Sequence, residues 1–305
     1  MAAHSIPSLE CWLPDLQRFD TAHPLRTLLQ RADRLEPGAR GYLGGLAAYF
    51  PCGDGIPAAA LTREHLLHDA GDAGWLSADP AWVQPDLSGA RLLACGQLQL
   101  SLDDAHALAE PLQPVFADAG MTLEISSPDR WHLRLPTQTV LPDFAAPEQA
   151  LGEDLYEHLP QGPEGRRWRM LLNEVQVLLH QHPVNAERRT RGLPPINSVW
   201  LWGGGSLPST VTTALTGVVG EDLLLRALAE RAGIPVQPRN ETALHAAATG
   251  WLIDLQDLSV DDIAARWWPL LETLAKRQPL VLAFASGERW LYRPWHRLRF
   301  WRRAA

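Results

Sequence analysis

Apolar positions between residues 24 and 35 recur at helical spacing. Leu25, Leu28, Leu29 and Ala32 share one face and Pro24 stands at the start, which predicts an amphipathic helix packed on a core. Further on, the glycine-rich stretch from Gly38 to Gly55 contains the apolar run Tyr42–Phe50, interrupted by Gly44 and Gly45, a pattern equally compatible with a buried segment and with a loop. Asp103–Ala119 reads as a helix capped by Ser101. Met121–Ile125 and Trp131–Leu135 then alternate as the two strands of a hairpin around Ser126-Ser127-Pro128-Asp129. This mixture predicts an α+β N-terminal lobe over 1–150. Residues 136–165, rich in Pro, Gly and Glu, read as the exposed connection to a second lobe over 151–305, although a single domain remains compatible with the pattern.

Periodicity is stronger in the second half. Met170, Leu171, Val175, Leu178 and Leu179 follow a helical period from Trp168 to His180, and His182-Pro183 ends that helix. Ser198–Trp202 is a short apolar strand running into Gly203-Gly204-Gly205. The segments Gly217–Gly220, Glu221–Ala232 and Ile234–Val236 form a strand, helix and strand series, the signature of a parallel α/β layer. The expected fold class is therefore α/β, with a sheet-centred C-terminal half beside a smaller α+β lobe.

Composition narrows the function classes. A formal net charge of −8 and a pI near 5.8 have the wrong sign for a chain whose whole surface tracks a nucleic-acid backbone, so nucleic acid is not an expected partner. Cys11, Cys52 and Cys95 are widely separated, lack C-x-x-C spacing and suggest neither a disulfide framework nor a zinc site. The opening Met-Ala-Ala-His-Ser-Ile-Pro lacks the basic and apolar regions of a signal peptide, and no apolar run approaches the roughly 18 residues of a membrane span. A cytoplasmic location without a membrane span is expected.

Candidate chemistry is sparse. Val199–Ser209 leaves a strand through three consecutive glycines, where backbone N–H groups can approach an anion or where a tight turn excludes side chains. Neither a Walker A lysine nor a G-x-G-x-x-G fingerprint accompanies it. His65, His68 and Asp69 have the spacing of one helical face, which suits a metal or a solvated edge. Asp103-Asp104 and Asp261-Asp262 follow Ser101 and Ser259, where acidic residues favour a helix N-terminus. There is no G-x-S-x-G elbow, and no complete catalytic constellation emerges. Near the end Arg289, Arg293, Arg297, Arg299, Arg302 and Arg303 interleave with Trp290, Tyr292, Trp295, Phe300 and Trp301. Such a tail suits an anionic surface, or aromatics docked on the body with arginines paired to its acidic groups.

Leu172-Asn173-Glu174, His182-Pro183-Val184-Asn185, Arg188, Gly192, Pro194-Pro195, Asn197-Ser198 and Trp200-Leu201-Trp202-Gly203 form an ordered set. It resembles the RpfE-type regulatory protein family and, in this stretch, the archaeal-type cofactor-independent phosphoglycerate mutases of the alkaline-phosphatase superfamily. Ala78-Asp79-Pro80, Pro85-Asp86, Pro128-Asp129-Arg130-Trp131 and the Arg/Trp tail extend the likeness to the RpfE type. The resemblance implies an alkaline-phosphatase-like sheet in the C-terminal half. It also implies a cleft faced by His182, Asn185, Arg188, Asn197, Trp202, Gly203, Gly204 and Gly205, suited to an anionic small molecule.

The mutases' early Asp-Gly, Asp-x-x-Gly-His and late Asp-His-Gly elements have no counterparts in Leu9–Asp15 or Leu280–Glu288. A non-catalytic regulatory or binding protein is therefore expected, with no catalytic residues, no metal site and no cofactor, and with an anionic small molecule or a protein as partner. The alternative is a metal-dependent phosphoglycerate mutase or phosphatase using Mn or Zn. A second alternative is an anion-surface or nucleic-acid binder acting through residues 289–303.

Overall fold

A computed structural model describes residues 8–53, 55–86, 89–137 and 139–299. In chain order its strands are β1 (Leu9–Leu13), β2 (Asp33–Arg34), β3 (Gly74–Pro85), β4 (Ala90–Cys95), β5 (Thr122–Ser127), β6 (Arg130–Leu135), β7 (Ser198–Ser206), β8 (Gly217–Val219), β9 (Val236–Gln237), β10 (Trp251–Asp254), β11 (Leu280–Phe284) and β12 (Arg289–Tyr292). The chain is α/β. No helix among the described residues is long and apolar enough to cross a membrane.

The chain divides into two compact units, one of residues 1–55 with 210–305 and one of residues 56–209. The divisions thus fall at 55/56 and 209/210, whereas the contiguous lobes expected from sequence meet at 150. The discontinuous unit is built on a seven-stranded sheet ordered β2-β12-β11-β1-β10-β8-β9, in which β11, β1, β10, β8 and β9 run parallel. Its central strand comes from the first residues described and its neighbours from residues more than 200 positions later. Leu9, Cys11 and Leu13 of β1 and Leu280, Leu282 and Phe284 of β11 join one core with the helices Pro24–Arg31 and Trp268–Arg277. The opposite face receives Glu10 and Trp12, since strand side chains alternate. The glycine-punctuated run that sequence left open is a helix, Tyr42–Tyr49.

The continuous unit carries an antiparallel sheet, β4-β3-β6-β5, with β7 also paired to β3. Ser198–Trp202 therefore does not belong to the parallel layer in which its apolar run was expected. It crosses β3 in antiparallel register, Trp202 opposite Ser77 and Trp200 opposite Asp79. The hairpin of β5 and β6 forms around the expected turn. The expected helix 103–119 breaks into Leu102–Ala109, a 3₁₀ turn and Gln113–Asp118, because Pro111 and Pro114 each lack the N–H that a continuous helix needs. Gly162–His180 packs Trp168, Leu171, Leu172, Val175 and Leu179 against this sheet's core.

Candidate functional site

In open parallel sheets ligands bind outside the carboxyl ends of the strands. At that edge of the discontinuous unit β10 ends in Asp254, β8 runs into Gly220, and the helix Leu223–Arg231 begins with Asp222 as its N-cap. A Cβ on Gly220 would lie 3.1 Å from Asp254 Cβ, so the two loops meet closely. Asp222 Oδ1 accepts from Leu225 N at 2.8 Å and from the Tyr42 hydroxyl at 2.7 Å. Tyr42 in turn stacks on Trp12, with ring centroids 6.2 Å apart.

Asp254 is fully buried, and Oδ2 has no hydrogen-bond partner. Burial pushes its carboxyl well above the ordinary carboxylate range; the negative charges of Asp222 and Asp257 reinforce the shift and Arg239 opposes it. The Arg239 guanidinium lies among these acids, with Nη2 2.6 Å from Asp257 Oδ1 and 3.8 Å from Asp254 Oδ2, while its backbone N–H donates to Glu221 Oε1 at 2.7 Å. The arrangement is a cluster of carboxylates carrying its own internal cation. Sequence reasoning missed it because its members come from separate segments between Glu221 and Asp257; the only local signal was an Asp closing an apolar strand.

The residues singled out from sequence sit in the continuous unit and engage mainly backbone. His182 caps the helix Pro183–Thr190 through Nδ1, which accepts from Val184 N. Asn185 is buried, with its amide nitrogen donating to Leu179 O and Ile196 O and its Oδ1 accepting from Ile196 N. Arg188, 1% exposed, donates to the carbonyls of Pro194, Gln99 and Leu98. Asn197 pairs both amide atoms with the backbone of Val83. Gly203, with φ +64°, packs against Ala58; Gly204 fits beneath Leu141, and Gly205 lies against Pro57. These contacts brace a loop and a strand and do not gather the side chains in one cleft.

Trp202 behaves differently, joining residues quoted for the family likeness. Its Nε1 donates to Asp79 Oδ2 at 2.8 Å, where Arg130 Nη1 arrives at 3.0 Å, and Trp131 N reaches Oδ1 at 3.3 Å. Burial raises the Asp79 pKa, with Arg130 as the main opposing influence. Close by in sequence, His132 bridges Ser126 Oγ at 2.7 Å and Thr62 Oγ1 at 3.0 Å, and burial followed by the charges of Arg63 and Arg130 drops its pKa to about 3. His65, His68 and Asp69 do not share a face: His68 adopts a left-handed C-cap, and both Asp69 oxygens take the Arg63 guanidinium. No group of three or more His, Cys, Asp or Glu side chains suited to a metal occurs among the described residues.

In the tail, Arg289 pairs with Glu10, while Arg293, Arg299 and His296 converge on Asp33. Arg297 lines a cavity with Arg31 and Lys276. Arg302, Arg303, Phe300 and Trp301 lie outside the described residues.

The class defined by these observations is an α/β protein with a buried acid and arginine cluster at the carboxyl edge of a parallel sheet. No family model matches the chain. A probable 2,3-bisphosphoglycerate-independent phosphoglycerate mutase of Geobacter sulfurreducens is 36% identical over 103 residues, 32% of this chain and 25% of that protein. The 2,3-bisphosphoglycerate-independent phosphoglycerate mutase of Methanothrix thermoacetophila is 38% identical over 63 residues, 21% of this chain and 16% of that protein. The chain thus matches a quarter or less of the length of these curated relatives. Among solved structures, the cofactor-independent phosphoglycerate mutase of Thermoplasma acidophilum aligns over 94% of this chain and 90% of its own at a TM-score of 0.36 and 16% identity. The PH0037 protein of Pyrococcus horikoshii aligns over 93% and 87% at a TM-score of 0.41 and 12% identity.

Proposed function

We propose that this chain is a non-catalytic, cytoplasmic regulatory or ligand-binding protein of the RpfE type, related to phosphoglycerate mutases and working without their two-metal centre. The observation that carries the reading is Arg239. Its guanidinium is fixed among Asp254 and Asp257 at the sheet edge where ligands of such folds bind. A divalent cation draws on deprotonated carboxylates. Here the fully buried Asp254 is biased toward its protonated form, and an internal cation already stands beside it. A two-metal phosphoryl-transfer centre built on Asp254 and Asp257 would have to displace that guanidinium.

The second reading, a metal-dependent phosphoglycerate mutase or phosphatase, is favoured by the partial sequence matches, which are to such mutases. One experiment separates the two: metal analysis of the purified protein, combined with interconversion of 3- and 2-phosphoglycerate in added Mn²⁺. The proposal expects substoichiometric metal and no turnover. Bound Mn²⁺ or Zn²⁺ at about two per chain together with turnover would overturn it in favour of the enzyme.

A further inference from the structure

β1 lies between two parallel neighbours and is covered on both faces, a position where strands are usually apolar throughout. Glu10 breaks that rule. It is 2% exposed, and Oε1 receives Arg289 Nη2 at 2.9 Å, whereas Oε2 makes no hydrogen bond within the protein. Leaving a buried charged acceptor unsatisfied costs about 1–3 kcal/mol or more, so such a group calls for a donor.

The surroundings of Glu10 supply a space for one. It lines a cavity of about 170 Å³, walled by the rings of Trp12 and Tyr49, which meet edge to face at 6.0 Å. Three sequence features make the room. Ala283 sits beside Trp12 in β11, and Gly45 and Ala48 occupy the covering helix where larger residues would fill the gap. Gly45 is obligatory there, since a Cβ would come within 2.4 Å of Trp12 Cζ2. A glycine inside a helix costs roughly 0.5–1 kcal/mol relative to alanine, and here it lets the indole approach the helix backbone closely. The Tyr49 hydroxyl stays protonated and faces the Glu10 carboxylate, its pKa raised well above the ordinary value first by burial, then by the charge of Glu10 and by a hydrogen bond to that carboxylate, which still leaves Oε2 without a donor. Arg289 is only partly covered and commits one nitrogen to Glu10.

We propose that this cavity binds a small molecule bearing a primary ammonium, which donates to Glu10 Oε2 and lays its short apolar body against Trp12 and Tyr49. An ammonium offers three donors to a carboxylate acceptor, and aromatic faces attract cations. Two sources share that chemistry, a simple alkylamine and an α-amino acid whose carboxylate would meet the remaining N–H groups of Arg289. The inference does not depend on whether the sheet edge at Asp254 is catalytic.

The test is isothermal titration and ligand-observed NMR of the full chain with n-butylamine, norvaline and butyrate. Saturable binding of butylamine is expected for the simple amine; binding of norvaline alone assigns the amino acid. Glu10→Gln should weaken binding at least tenfold. Ala48→Leu, at an exposed position on the cavity mouth, should abolish it while leaving the circular dichroism spectrum and melting curve unchanged. The proposal is overturned if neither amine binds the wild-type chain at millimolar concentration, which would make the cavity a solvent pocket. Butyrate binding as tightly as the amines, or amine binding that survives both substitutions, would overturn it equally.

Discussion

Replacing Arg188 with alanine removes the side chain that holds the loop before residue 100 in an unfavourable conformation. Gln97 and Gln99 have φ of 49° and 52°, and Gly96 has φ 61°; the left-handed region costs a non-glycine residue about 1 kcal/mol or more. Arg188 Nη2 and Nη1 donate to Leu98 O at 2.5 Å and Gln99 O at 3.3 Å, and Nε donates to Pro194 O at 2.8 Å. Hydrogen bonds from a charged group contribute about 1.5–3 kcal/mol each, but the freed carbonyls regain water and the loop sheds strain. A net loss of about 3–4 kcal/mol remains. For a unit of roughly 150 residues each kcal/mol lowers the melting temperature by about 2–4 °C, so the expected fall is on the order of 10 °C. Scanning calorimetry should register it, and hydrogen exchange should accelerate in peptides spanning 95–101 and 190–196. Arg188→Lys should recover less than half, because an ammonium cannot span three carbonyls as the fork does. An Arg188→Ala protein with unchanged melting and exchange would refute the bracing role and restore Arg188 as a free anion ligand.

Three further outcomes are expected. His132, with its pKa lowered to about 3, is neutral in the fold while the unfolded chain binds a proton below about pH 6.5. Its contribution is therefore intact above that pH and is lost on the order of 1 kcal/mol per pH unit as pH falls toward 3; His132→Gln should flatten the slope of denaturant midpoint against pH, and an identical slope would contradict the buried neutral imidazole. Gly203→Ala should cost roughly 1–3 kcal/mol, since the residue has φ +64° and a Cβ would lie 2.7 Å from that of Ala58; a neutral change in urea midpoint would show that the turn is not set by packing. Asp33→Asn removes the shared partner of Arg293, Arg299 and His296, so the variant should be retained to higher salt on heparin than the wild type, and identical elution would mean that these arginines are already available.

Local features of this fold were legible because they are written over a few residues. The helix beginning at Pro24, the hairpin of β5 and β6, and the Ser101 and Ser259 caps all formed near where the pattern placed them. The parallel sheet was only half visible. Its central strand has a buried glutamate at its second position, and its neighbours lie more than 200 residues away, so neither propensity nor period identifies Leu9–Leu13 as the centre. The Asp254 and Arg239 cluster was hidden for another reason, since its members come from separate segments between Glu221 and Asp257.

The candidate set around Arg188 shows a different limit. A guanidinium or an amide satisfies a bound anion and a backbone carbonyl by the same N–H donors, so residue type alone does not separate a ligand site from a brace. The flanking prolines carried the physical hint. Pro194 and Pro195 offer carbonyls but no N–H, which keeps that segment out of a regular ladder and leaves its acceptors to side chains. Arg188 and Asn185 meet that need, binding Pro194 O and Ile196 O. A polar residue next to prolines in an apolar surrounding is accordingly first a candidate for holding the chain. Glu10 and Asp254 differ because each keeps a carboxylate oxygen that no backbone group claims.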